Sequence, residues 1–160
     1  MELKKAIATL ILGITVVTQA LATTKPTETY QTVISHYMDS YKASDYKKLR
    51  AILAEDAVFK SNRDVRVVKQ SGEAIIGFLK KKGLSEEQDC NLSYEIISKT
   101  NAIVIAKVSV KYELFNGDQD NFLVIENQGK DEWKITQVYK MYLENNINEK
   151  SDKKILAANK

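Results

Sequence analysis

The chain has few of the residue types on which whole classes of protein depend. Its 160 residues include one cysteine, one histidine, one proline and one tryptophan. The single cysteine, Cys90, cannot form an internal disulfide, which excludes a disulfide scaffold. One histidine, His36, and one cysteine offer no ligand cluster at the spacing of a known metal site, so we expect neither a metal nor a cofactor.

The chain also lacks a strong excess of charge of one sign. It carries 24 Lys and Arg residues against 21 Asp and Glu residues, a formal net charge of +3. The two signs alternate along the sequence, and a balance this even is not the basic footprint of a nucleic-acid-binding domain. We therefore expect no nucleic-acid partner.

No apolar run is long enough for an ordinary membrane span. The longest, at residues 6–17, is about a dozen residues, short of the roughly 20 that cross a bilayer as a helix. Lys4 and Lys5 precede it, and Ala20-Leu21-Ala22 follows it with small residues at the positions that a signal peptidase reads. This layout predicts a signal peptide at residues 1–22 and export to the periplasm or the medium, with no stable membrane anchor after cleavage. An uncleaved anchor is the alternative.

The first half of the remaining chain has helical periodicity. Apolar residues recur at helical spacing on one face between residues 30 and 41: Tyr30, Val33, Ile34, Tyr37, Met38 and Tyr41. Ser44 and Asp45 interrupt this stripe, and the pattern resumes through Leu53 in a second helix. A third helix is predicted from Ser71-Gly72-Glu73 to a stop at Gly83.

The second half has the period-two alternation of β-strands. It is clearest at residues 104–114, and further strands are predicted at 92–98, 122–127 and 133–143. Two short strands, at 57–60 and 65–69, flank a predicted turn at 61–64. Asn116-Gly117 predicts a hairpin turn. The order predicts an α+β domain at residues 23–143, with a polar tail at 144–160.

Several segments in this order resemble the nuclear transport factor 2-like superfamily, a cone-shaped α+β fold shared by SnoaL-like cyclases and ketosteroid isomerases. They are Tyr41-Lys42-Ala43-Ser44-Asp45 at the helix bend, the segment LAEDAVF at 53–59, GEAIIGF at 72–78 and DEWKI at 131–135. The ending VIENQGKDEWKITQVYK is also similar to the putative lumazine-binding branch. The resemblance implies a curved antiparallel sheet packed on three N-terminal helices, with an apolar pocket at the wide end of the cone.

The comparison with ketosteroid isomerases is made position by position. An ungapped alignment of the helix hairpin places Tyr37 at the oxyanion-binding tyrosine and Ser61 at the general-base aspartate. The partner acid of that oxyanion hole should fall near Phe122, within a residue or two. Because only the tyrosine is retained, the resemblance implies a site without a base.

These considerations lead to one preferred function and two alternatives. We expect a non-catalytic domain that binds a small apolar or aromatic ligand. The alternatives are a SnoaL-like or isomerase-like enzyme with Tyr37 as proton donor, and a protein-interaction domain, with a homodimer formed through the sheet. The residues expected to line the pocket are Tyr37, Tyr41, Phe59, Val108, Val110, Phe122 and Trp133.

Overall fold

The computed structural model describes residues 29–63, 65–83, 87–114 and 117–143. The predicted signal peptide and the predicted tail at 144–160 lie outside these ranges. Within the described ranges the chain forms three helices and six strands: α1 (Tyr30–Ala43), α2 (Tyr46–Ile52), β1 (Leu53–Arg63), β2 (Arg66–Ser71), α3 (Gly72–Lys82), β3 (Cys90–Lys99), β4 (Ile103–Tyr112), β5 (Gln119–Asn127) and β6 (Trp133–Tyr142).

The six strands form one curved, unclosed sheet in the order β2-β1-β6-β5-β4-β3. Its single parallel pair joins β1 to β6, and every other pair is antiparallel. This parallel pair brings the first strand of the chain beside the last. The three helices pack on the concave face, as the α+β resemblance predicts.

Each helix begins at a polar cap. The Thr29 side chain accepts a hydrogen bond from the backbone N–H of Thr32, and the Ser71 hydroxyl accepts one from Ala74. The Asp45 carboxylate accepts two, from the backbone of Lys47 and Lys48 at 3.0 and 3.1 Å. These side chains satisfy N–H groups that have no partner inside the helix, so they determine where each helix starts.

One core lies between the helices and the concave face of the sheet. Alternate residues of β4 and β5 are fully buried there, and they face the apolar stripe of α1. The central buried side chains are Val33, Ile34, Tyr37, Ile52, Val104, Ala106, Val108, Leu123, Ile125, Ile135 and Val138. The predicted helix stripe and the predicted period of two are therefore both confirmed.

Some predicted boundaries were wrong. The first hairpin has no turn at 61–63, because β1 continues to Arg63 and Ser61 pairs with Val68 of β2. Leu53 begins β1 instead of ending α2, and β5 begins at Gln119, three residues earlier than predicted. At these boundaries the side chains are compatible with a turn or helix end as well as with a strand. Hydrogen bonding to a neighbouring strand selects the strand conformation.

Among the described residues, no helix has both the length and the apolar character needed to cross a membrane.

Candidate functional site

A cavity lies between α1, α3 and the end of the sheet formed by β1, β2 and β6. Its volume is about 530 Å³, within the range typical of small-molecule sites. Phe59, Ile75 and Leu79 contribute an apolar wall, and Phe78, which is 63% exposed, stands at the mouth. The cavity is therefore large enough for a small organic molecule with an apolar body.

Tyr41, Ser44 and Gln88 line the opposite side, and they belong to a chain of hydrogen bonds centred on Tyr41. The amide of Gln119 donates to the Tyr41 hydroxyl. The Tyr41 and Tyr112 hydroxyl oxygens lie 2.9 Å apart, and Tyr112 donates to Gln88 Oε1 at 3.0 Å. Because the Tyr112 proton points to Gln88, the Tyr41 proton must point to Tyr112. Gln88 closes the chain by donating to the Tyr41 carbonyl and to Ser44 Oγ.

Burial favours the neutral form of both tyrosines in this network. Burial raises the pKa of Tyr41, and the hydrogen bond that it donates to Tyr112 raises it further. Burial also raises the pKa of Tyr112. Neutral hydroxyls with a fixed direction of donation form a rigid polar wall.

Tyr37 lies one helical turn before Tyr41 and is almost completely buried. Its hydroxyl has no hydrogen-bond partner within the described part of the chain. Burial, and next the neighbouring Tyr142, raise its pKa, so Tyr37 remains a neutral hydrogen-bond donor. Buried polar groups are normally paired. Tyr37 lines the cavity, so its unpaired hydroxyl is a candidate hydrogen-bond donor to a ligand.

Lys140 reaches this cavity because β6 contains a bulge. Ile125 of β5 pairs with Ile135, whereas Val124 pairs with Gln137, which leaves Thr136 as an extra residue. Before the bulge Ile135 faces the core, and after it Val138 and Lys140 do. Lys140 Nζ lies 5.3 Å from the centre of the Tyr41 ring. Desolvation by burial lowers the pKa of Lys140 to about 8.

Two further polar residues flank Lys140 on the concave face. Asn121 of β5 and Ser61 of β1 both pair with it in the sheet register. Asn121 is fully buried, and both polar atoms of its side chain lack a hydrogen-bond partner among the residues that the structure describes. Ser61 lines a small second cavity together with Lys140.

These placements refine the comparison with ketosteroid isomerases. The residue that occupies the inward position of β5 is Asn121, one residue before the predicted Phe122. Tyr37, Asn121 and Ser61 are thus the residues that the sequence comparison pairs with the two oxyanion donors and the base. An amide and a hydroxyl replace the two acids.

The structure brings together three of the seven predicted pocket residues, Tyr37, Tyr41 and Phe59. The other four lie outside the lining of this cavity, and we correct their assignment to it. Val108 and Val110 are buried in the sheet layer, and Phe122 pairs with Lys107 and faces away from the helices. Trp133 is at the far end of β6, where it packs edge-on against Tyr30 with 5.8 Å between ring centres.

Sequence reasoning missed Lys140, Gln88 and Gln70 as lining residues. For Lys140, the sequence contains one indication that its side chain faces inward. Ile135 and Val138, the apolar residues before it, are three apart, and this breaks the period of two and indicates a bulge. Gln88 and Gln70 gave none, because polar residues near strand ends are ordinary surface residues in most proteins.

Neither His36 nor any acidic residue of the described ranges contributes to this cavity. His36 is half-buried on α1 and is not in its lining. The lining includes no Asp or Glu from the described ranges. Over the same ranges, no group of three His, Cys, Asp or Glu residues is arranged to hold a metal ion.

Comparison with known proteins agrees with this architecture. Residues 25–143 match the model of a family described as "Putative lumazine-binding". No curated protein matches the chain.

Solved structures of similar fold include several of unknown function. A cystatin-like fold protein from Burkholderia xenovorans LB400 has a TM-score of 0.59 at 12% identity, over 74% of this chain and 92% of that one. An NTF2-like protein from Shewanella baltica OS155 has a TM-score of 0.57 at 10% identity, over 71% and 90%. A putative ketosteroid isomerase from Parabacteroides distasonis ATCC 8503 has a TM-score of 0.52 at 13% identity, over 71% and 87%. At these identities the likeness shows the fold alone.

Proposed function

This chain belongs to the putative lumazine-binding family, and we propose that it is a non-catalytic protein that holds a small molecule with an apolar or aromatic body. The observation that carries the proposal is the cavity of about 530 Å³ with two contrasting walls. Phe59, Ile75 and Leu79 would contact the body of the ligand. The unpaired Tyr37 hydroxyl would donate a hydrogen bond to its polar edge.

A neutral aromatic probe, N-phenyl-1-naphthylamine, tests this proposal by its fluorescence. We expect saturable binding to the purified protein, and loss of that binding in Ile75→Trp, which fills the cavity. Ile97→Trp is the matched control because Ile97 lies on β3 and is 52% exposed. Near-ultraviolet circular dichroism checks that both variants are folded. Binding that Ile75→Trp leaves unchanged would contradict the proposed site.

Lumazine, the compound in the family description, can be tested as a competitor in the same assay. Displacement of the probe by lumazine would support a fused heteroaromatic ligand. Failure of lumazine to displace a bound probe would exclude this compound and retain the cavity as the site.

The alternative, an isomerase-like enzyme, has one specific observation in its favour. The buried Tyr37 hydroxyl could polarise a substrate carbonyl. Proton abstraction from carbon also needs a base. Ser61, which aligns with the general-base aspartate of ketosteroid isomerases, carries a hydroxyl that does not accept a proton at neutral pH. We expect no conversion of a β,γ-unsaturated ketone to its conjugated isomer. Turnover above buffer that disappears in Tyr37→Phe would make the protein an enzyme.

A further inference from the structure

We propose that Lys140 binds an anionic group, so that the ligand is an organic anion with an aromatic or apolar body. The inference rests on the proposed binding function and specifies the chemical class of the ligand. It comes from the position of one cation, the composition of the cavity around it and the unpaired donors beside it.

Lys140 is a cation on the cavity wall without a carboxylate partner in the part of the chain that the structure describes. The ion pairs found there lie elsewhere and join exposed or half-exposed side chains, such as Lys42 with Glu87 and Arg50 with Glu73. The described contact of the Lys140 ammonium is the face of the Tyr41 ring. A ring face attracts a cation but supplies no hydrogen-bond acceptor oxygen to replace water.

The described part of the cavity lining carries more positive than negative charge. It includes two cations, Lys140 and Lys82, and no Asp or Glu. A cavity with low-dielectric walls concentrates the field of such charges and favours a ligand of the opposite sign. Lys82 belongs to the last turn of α3, where a cation also complements the helix dipole, so Lys140 is the more specific signal.

Two neutral donors accompany this cation: Tyr37 lines the same cavity, and Asn121 pairs with Lys140 in the sheet register. The Tyr37 hydroxyl is buried and unpaired among the described residues, and the Asn121 amide, also unpaired there, is directly across the strand pair from Lys140. A carboxylate or sulfonate accepts several hydrogen bonds at once, and it is bound most strongly by a charged donor supported by neutral ones. Because desolvation lowers the Lys140 pKa only to about 8, the ammonium form still predominates at pH 7.

Two fluorescent probes with the same ring system separate the charge from the body of the ligand. 8-Anilinonaphthalene-1-sulfonate carries a sulfonate that N-phenyl-1-naphthylamine lacks. We expect Lys140→Met to raise the Kd of the sulfonate probe at pH 7 at least tenfold, and to change the Kd of the neutral probe less than twofold. Lys140→Arg, which keeps the positive charge, should retain most of the sulfonate affinity.

The matched control is Lys111→Met, which removes the same charge from an exposed position on β4. It should change neither Kd more than twofold, so an equal loss of sulfonate binding in both variants would indicate a general charge effect and overturn the inference. An unchanged sulfonate Kd in Lys140→Met would also overturn it while leaving the proposed function intact. If neither probe binds the wild-type protein, the proposed function fails and the inference is rejected with it.

Discussion

The hydroxyl groups of Tyr41 and Tyr112 lie 2.9 Å apart and join two elements that are 71 residues apart in sequence. Tyr41 is in the last turns of α1, and Tyr112 is the final residue of β4. Through Gln88 the same network includes the segment just before β3. The polar wall of the cavity is therefore also a link between the first helix and the far half of the sheet.

Replacement of Tyr112 by Phe should weaken this link. The change removes the group that donates to Gln88 and accepts from Tyr41, and it leaves partly buried polar atoms unpaired. We expect the free energy of unfolding to fall by about 1–2 kcal/mol. Urea denaturation measures it. Tyr94→Phe is the control because Tyr94 is 48% exposed on β3, and it should lose less than about 0.5 kcal/mol. Equal losses in the two variants would contradict a structural role for the network.

Two glycines of α3 should respond to alanine in opposite ways. A Cβ on Gly77 would meet no atom within 4 Å, so Gly77→Ala should stabilise the helix by about 0.5–1 kcal/mol. A Cβ on Gly72 would lie 3.3 Å from both the Cβ and the carbonyl oxygen of Ala57. Because this contact is too close, we expect Gly72→Ala to give no stabilisation and to lower the melting temperature. Thermal unfolding of the two variants measures the difference. Stabilisation of similar size in both would show that α3 can move away from β1 at Gly72 without a cost in stability.

Most of the fold could be predicted from the sequence because its signals are local. The stripe from Tyr30 to Tyr41 has helical spacing, and the alternation at 104–112 has a period of two. The Asp45 side chain caps α2 as its position predicts. These patterns depend on which face of one element is apolar, and a single sequence records that directly.

The site was less predictable because it depends on contacts between distant elements. The bulge at Thr136 changes which β6 residues face inward, and without it Lys140 would be an ordinary surface lysine. The sequence alignment predicted that Phe122 faces the cavity, but the inward-facing residue is its neighbour, Asn121. In a strand, that error transfers a side chain to the opposite face of the sheet. Gln88 joins the wall through a loop whose path no local pattern determines.

Export is a proposal that protein chemistry can test. Cleavage after Ala22 would give a mature chain that starts at Thr23. Edman sequencing of the protein recovered from the periplasm or the medium should therefore begin Thr-Thr-Lys-Pro. The replacement Ala22→Arg should block processing and leave the longer form. A protein that keeps Met1 and sediments with membranes would support the uncleaved anchor.

Lys140 should make the stability of the protein depend on pH in a direction that identifies it. Its pKa falls from the usual 10.5 to about 8 in the folded state because burial disfavours the charged form. Below pH 8 the ammonium is present in both states, and the folded state carries the full desolvation penalty. Between pH 8 and 10.5 the folded state releases this proton while the unfolded state keeps it, so the penalty decreases as the pH rises.

Lys140→Met should therefore be more stable than the wild type at pH 7, by up to about 3 kcal/mol, and this advantage should diminish towards pH 10. The other titratable groups that line the cavity among the described residues are Tyr37, Tyr41, Lys82 and Tyr142. The pKa values of Tyr37 and Tyr41 are raised in the folded state, so ionisation of these tyrosines in the unfolded state lowers the stability of both proteins towards pH 10, and this contribution cancels in the difference between them. Urea denaturation of both proteins at pH 7, 8 and 9.5 measures the difference, with Lys111→Met as the exposed control. A constant difference between the wild type and Lys140→Met would mean that Lys140 is fully solvated and charged throughout, whereas a loss of stability at pH 7 would mean that its ammonium makes a favourable contact in the folded protein.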